Sequence, residues 1–211
     1  MSYDNRPGFT PWDDRTLPNV LGADESGRRV AAFAWIERRL AAVLTGAAAA
    51  ADGPVTDVLA RQAAHHEWHA TLWTEQLVPA GATLPGDATP DGPAAEVLDL
   101  VAGAPPFEQL VGLSRVVLPR LIAAYTYHRT AVGRDLDATG GRWFRLLLDD
   151  EHDDRRDLEL FVQAQLTSTD AVERAASFQA RLEMLFVQSG GLVGPATLGG
   201  TPVAAVTEVK G

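Results

Sequence analysis

Three of the chain's five histidines fall within the stretch AAHHEWHATLW, residues 63–73. His66 and His69 are three residues apart and His65 and His69 four apart, spacings that put imidazoles on one side of a helix. Imidazole is a common metal ligand and titrates near neutrality, so the cluster suits a cation site or a proton-handling site. A second concentration of reactive groups is LLLDDEHDDRRDLELF, residues 146–161. Within it Glu151 and Asp154 have the i,i+3 spacing of a ligand pair. Asp149 and His152 form a second such pair, rotated by about one residue around the same helix.

These groups need elements to position them, and the hydrophobic spacing supplies five long helices. The first begins near Ser26, where Val30, Phe33, Ile36, Leu40, Val43 and Leu44 follow the three-four pattern. Glu37 falls in line with Phe33, Leu40 and Leu44, which directs a carboxylate inward. The tripeptide DGP at 52–54 ends that helix and opens the next, with Pro54 in its first turn. The second helix is expected over Val55–Leu77, with His66 in line with Leu59, Ala63, Ala70 and Trp73. Residues 78–93 are too rich in Pro and Gly for regular structure, and a short helix follows at Ala94–Val101.

A third long helix is expected from Pro105–Pro106 to about Val132, kinked at Pro119. Its inner stripe is Leu110, Leu113, Val117, Leu121, Ala124 and Tyr125, followed by His128, and carries no acid. Ser114, Tyr125 and His128 are its nearest polar groups. GRDLDATGG (133–141) reads as a break before a fourth helix over Arg142–Leu166, where Glu151 and Asp154 line up with Leu147, Leu158 and Phe161. The fifth is expected from Asp170, in capping-box spacing with Glu173, to the stop at Ser189-Gly190-Gly191. Residues 1–25 read as an irregular arm, 26–189 as one all-α bundle and 190–211 as a Gly-rich tail with one short extended piece.

Composition narrows the chemistry. The 211 residues, 46% hydrophobic, fit one globular domain. No apolar run is long enough for a bilayer, and the first residues lack the pattern of a secretory signal, so a cytoplasmic protein is expected. A net charge of −10 argues against nucleic acid as a partner. With no cysteine, any metal must be held by His, Asp and Glu, the ligand set of non-haem iron, manganese or catalytic zinc. Lys210 is the only lysine, which removes most lysine-dependent covalent mechanisms.

In helix order, in the long crossover between the second and third helices, and in the placement of these polar groups, residues 26–166 resemble the ferritin-like superfamily. Its metal-binding members carry Glu on one helix, Glu-x-x-His on the next, then a second Glu and a second Glu-x-x-His. The resemblance implies Glu37 at the first position, His66-x-x-His69 at the second, and Glu151-x-x-Asp154 or Asp149-x-x-His152 on the fourth helix. The third-helix Glu has no counterpart. So read, Glu37, His66, His69, Glu151 and Asp154 hold iron or manganese, with His65, Asp149 and His152 as secondary ligands and Tyr125 or His128 as candidate catalytic groups. The implied activity is a non-haem oxidase or oxygenase of a small molecule. One or two ions, and none, all remain open at this point. A metal-free enzyme or small-molecule binder with a buried Glu/His/Asp network is the alternative, and a structural protein with a vestigial site the second. The fifth helix is expected to cover the bundle or to build a homodimer interface.

Overall fold

The computed structural model describes residues 21, 23–77, 94–131, 134–189, 191–193, 197–198 and 201–202. Most of the expected N-terminal arm, the 78–93 loop and the end of the tail lie outside the described residues. Among the described residues the regular structure is helical apart from a two-residue antiparallel ladder in the tail, β1 (Thr197–Leu198) with β2 (Thr201–Pro202). No helix among the described residues is long and apolar enough to cross a membrane.

Helix α1 (Ala23–Ala50) starts three residues before the expected Ser26, so the arm's boundary moves back into it. Alanine, the best helix former, fills much of its length. A short turn joins it to α2 (Pro54–Leu77), and Gly53 takes φ +78°, a conformation that costs glycine little. The short α3 (Ala94–Ala102) buries Ala94, Val97, Leu98 and Val101.

The third long helix is three contiguous pieces: α4 (Pro106–Gly112), a π-helical turn (Leu113–Val117) and α5 (Leu118–Ala131). Pro119 has no N–H and its ring crowds the carbonyl four residues back. Just upstream the helix widens, with Leu118 N–H bonding Leu113 C=O five residues back, so it continues without a break.

Two expectations are corrected. Residues 134–141 of the expected break are helical: α6 runs from Arg134 to Gln165 and so begins eight residues before the expected Arg142. Gly140 and Gly141 each weaken a helix by about 1 kcal/mol, which a 32-residue helix packed on its neighbours absorbs. Helix α7 (Thr169–Ser189) is capped by Ser168, whose Oγ accepts the Ala171 N–H at 3.2 Å. Asp170 pairs instead with Arg174 at 3.3 Å.

Cross-helix contacts give the direction of each rod. Along α2 and α6 the pairs Arg61–Asp157, His65–Asp154 and His69–Asp150 step in opposite senses, so these helices are antiparallel. Ser114–Glu159 and His128–Phe144 give the same relation between the third rod and α6. The Leu21 N–H bond to Ala131 C=O, with Phe33–His128 and Glu37–Tyr125, gives it between α1 and α5. Thus α1 and α6 run one way, and α2 and α4–α5 the other. Helix α7 lies along the outside of the third rod, held by Arg174–Glu108 and Arg120–Glu183 ion pairs and by buried Leu182 and Phe186.

Gly112 sets how closely α3 and α7 approach. A Cβ there would lie 2.9 Å from Val101 Cγ2, 3.0 Å from Phe178 Cε1 and 3.1 Å from Leu182 Cδ1. The crowding outweighs alanine's better helix propensity, so Gly112→Ala is expected to destabilise the fold by about 1 to 2 kcal/mol. A lowered urea unfolding midpoint checks this; an unchanged midpoint would show that α7 shifts without cost.

Candidate metal centre

Each of the four rods sends a side chain to one point in the interior. Glu37 comes from α1, His66 and His69 from α2, Tyr125 from α5 and Glu151 from α6, and all five are 0% exposed. Both histidines turn Nδ1 toward the carboxylates. His66 Nδ1 lies 2.5 Å from Glu37 Oε2 and 3.6 Å from Glu151 Oε1. His69 Nδ1 lies 3.2 Å from Glu151 Oε1 and 3.6 Å from Glu37 Oε1. The remaining Glu37 oxygen accepts the phenol of Tyr125, which in turn accepts Trp73 Nε1–H at 3.0 Å. On its outer side His69 Nε2 meets Asp150 Oδ2 at 3.3 Å, a carboxylate one-third exposed, so this ring spans from the interior to the solvent edge.

The cluster is strongly coupled. Burial works against charge on Glu37, but the charge and hydrogen bond of His66, with those of His69, hold its carboxyl down at about 2. Burial also disfavours protonated His69, yet its bonds to Glu151 and Glu37 lift it to about 11. His66 is raised likewise, the charges of Glu151 and Glu37 overcoming burial. Burial, reinforced by the charge on Glu37, raises Glu151. Burial and both glutamates hold Tyr125 well above its usual range, which keeps the phenol a donor.

Of the residues picked out in the sequence, Glu37, His66, His69 and Glu151 each offer a ligand atom within 4.8 Å of the others. Asp154 is buried but not in this group: its carboxylate pairs with His65 Nδ1 at 3.0 Å, one turn along the α2–α6 seam. Asp149 and His152 are exposed, since the helical rotation that turns Glu151 inward turns them out. Ser114 donates to Glu159 and stays apart from the cluster. His128 is walled off by Phe33, Trp73 and Phe144, with ring centroids 5.5 to 6.0 Å away. Two members are absent from the sequence-derived ligand set, Asp150 behind His69 and the indole N–H of Trp73. Trp73 sits on the inner stripe and could have been found there, whereas Asp150 needs the register between α2 and α6.

The residues fit a cation. Around an ion with bonds near 2.1 Å, ligand atoms stand roughly 3 to 4 Å apart. The 3.2 and 3.6 Å spacings lie in that range, and the His66–Glu37 contact would have to open. Glu151 Oε2 has no hydrogen-bond partner and is open to an ion; His66 Nε2, the ring nitrogen not turned to the carboxylates, has none either and stays so with an ion on Nδ1. Charge also balances: two carboxylates neutralise two imidazolium rings, or equally one divalent ion bound by two neutral rings.

His128 supplies a test of the aromatic wall. Burial, and then the nearby Arg29 charge, lower its pKa to about 4 from 6.5. The unfolded chain therefore takes up a proton before the folded one. Stability is full above pH 6.5 and falls as pH drops toward 4, by up to about 3 kcal/mol. His128→Phe is expected to flatten this part of the stability profile, measured by urea unfolding across that range; a profile as steep as the parent's would contradict it.

Comparison with models of protein families, with curated proteins and with solved structures gives no match for this chain.

Proposed function

We propose that the chain is a ferritin-like bundle protein that holds one iron or manganese ion on Glu37, His66, His69 and Glu151 and acts as a non-haem oxidase or oxygenase of a small molecule. The observation that carries this reading is Glu151, a fully buried carboxylate with one oxygen unpartnered, facing a second buried carboxylate across two imidazoles. A cation bonds an atom of each of the four groups at once and keeps both acids ionised. The rod directions support the bundle assignment. With α2 parallel to the third rod, residues 78–105 join two parallel rods, the connectivity of ferritin-like folds with one long crossover.

Iron or manganese in such a nitrogen and oxygen set, with a position left open, supplies one-electron chemistry toward dioxygen. The chain's own groups prepare the site. Tyr125 fixes one oxygen of Glu37, leaving the other for the ion. Asp150 holds the far nitrogen of His69 and so keeps Nδ1 turned inward. Burial excludes bulk water from all four ligands. The direct His66–Glu37 and His69–Glu151 hydrogen bonds favour a second reading, a metal-free proton relay between buried acids and bases.

Elemental analysis separates the two. Protein purified without chelators and reloaded anaerobically with Fe(II) is expected to retain stoichiometric iron, lost in His66→Ala and in the milder Glu151→Gln. Because His66 and His69 must give up protons to bind, affinity is expected to rise with pH through the neutral range. Absence of bound metal under every loading condition sinks the metal reading.

A further inference from the structure

We infer that Tyr125, Trp73 and Trp143 form a one-electron relay between the buried cluster and the protein surface. The inference rests on reading the cluster as a redox metal centre, and it concerns how electrons reach it. The three side chains come from α5, α2 and α6 and touch in series. The Tyr125 phenol donates to Glu37, and Trp73 Nε1–H donates to that phenol at 3.0 Å. The Trp73 and Tyr125 ring centroids are 5.0 Å apart, and Trp73 meets Trp143 edge to face, also at 5.0 Å. Tyr125 and Trp73 are fully buried, whereas Trp143 is only partly buried. The series therefore begins at a candidate ligand and ends at the solvent edge.

Tyrosine and tryptophan are the aromatic side chains that lose one electron most readily, and phenylalanine would supply an aromatic ring without that property. A tyrosine is oxidised easily only if its proton has somewhere to go, and Glu37 accepts it. Tyr125 gives one electron to the oxidised centre and its phenolic proton to Glu37 Oε1. Trp73 returns an electron to Tyr125, and the proton goes back from Glu37. Trp143 refills Trp73, and a one-electron reductant in solvent refills Trp143. One electron thus moves inward with no net proton transfer, the ultimate oxidant being dioxygen.

The test uses metal-free protein, so its failure is distinct from a failure to bind metal. A soluble photogenerated one-electron oxidant, oxidised tris(bipyridine)ruthenium, is flashed in the presence of protein and the trapped radical is read by electron paramagnetic resonance. The parent is expected to give a neutral tyrosyl signal that Tyr125→Phe abolishes. Trp143→Phe, a change at a partly buried site that leaves the core intact, is expected to lose the tyrosyl signal and leave tryptophan oxidation elsewhere. Trp73→Phe is expected to do the same, with its fold checked by circular dichroism. Trp68→Phe, at an exposed tryptophan outside the series whose ring lies 5.5 Å from that of His69, is expected to leave the tyrosyl signal unchanged. No tyrosyl signal in the parent, or one that survives Tyr125→Phe or Trp143→Phe or depends on Trp68, overturns the relay.

Discussion

Two carboxylates and two imidazoles share a bundle interior that solvent does not reach, and the cost of that burial organises the molecule. Removing one partner from a buried ion pair typically costs 3 to 5 kcal/mol, roughly. Glu37 and Glu151 therefore cannot be placed independently: each is tolerable only where His66 and His69 stand between them. The four groups come from three different helices. Their mutual contacts tie the height and rotation of those helices to one another.

The third rod, α4–α5, joins this arrangement differently. It carries no acid at the cluster and contributes Tyr125, a neutral donor to an already ionised carboxylate. Around that contact Phe33, Trp73, Trp143 and Phe144 close a layer of rings, which leaves the phenol and the indole N–H each other as partners. A π-helical turn lies in the same rod, next to Pro119. The extra width of that turn lets the rod pass the proline and continue to Tyr125 as helix.

Much of this was legible in the chain. The three-four spacing of Phe33, Leu40 and Leu44 already turned Glu37 inward, and Leu147 and Leu158 did the same for Glu151, because burial of an apolar stripe carries its polar members with it. What a single helix cannot reveal is its register against a neighbour. Asp154 lies on the same stripe as Glu151, yet one turn further along the seam it meets His65 and leaves the cluster. Asp150 lies off that stripe, yet it reaches His69 because α2 and α6 pass closely there. The glycines at 140 and 141 misled for another reason: they weaken a helix locally, whereas the length of α6 is decided by its whole span. The Ser168 cap was missed because the Asp170–Glu173 spacing imitates a capping box two residues too late.

We propose one cation at the meeting point of Glu37, His66, His69 and Glu151. Anomalous diffraction from crystals grown with Mn(II), recorded at the manganese edge, tests it most directly. One anomalous peak per chain is expected, bonded to both Nδ1 atoms and to an oxygen of each glutamate, with the His66–Glu37 contact opened. A peak on His65 and Asp154 with none among the four, or no internal peak at all, would contradict it.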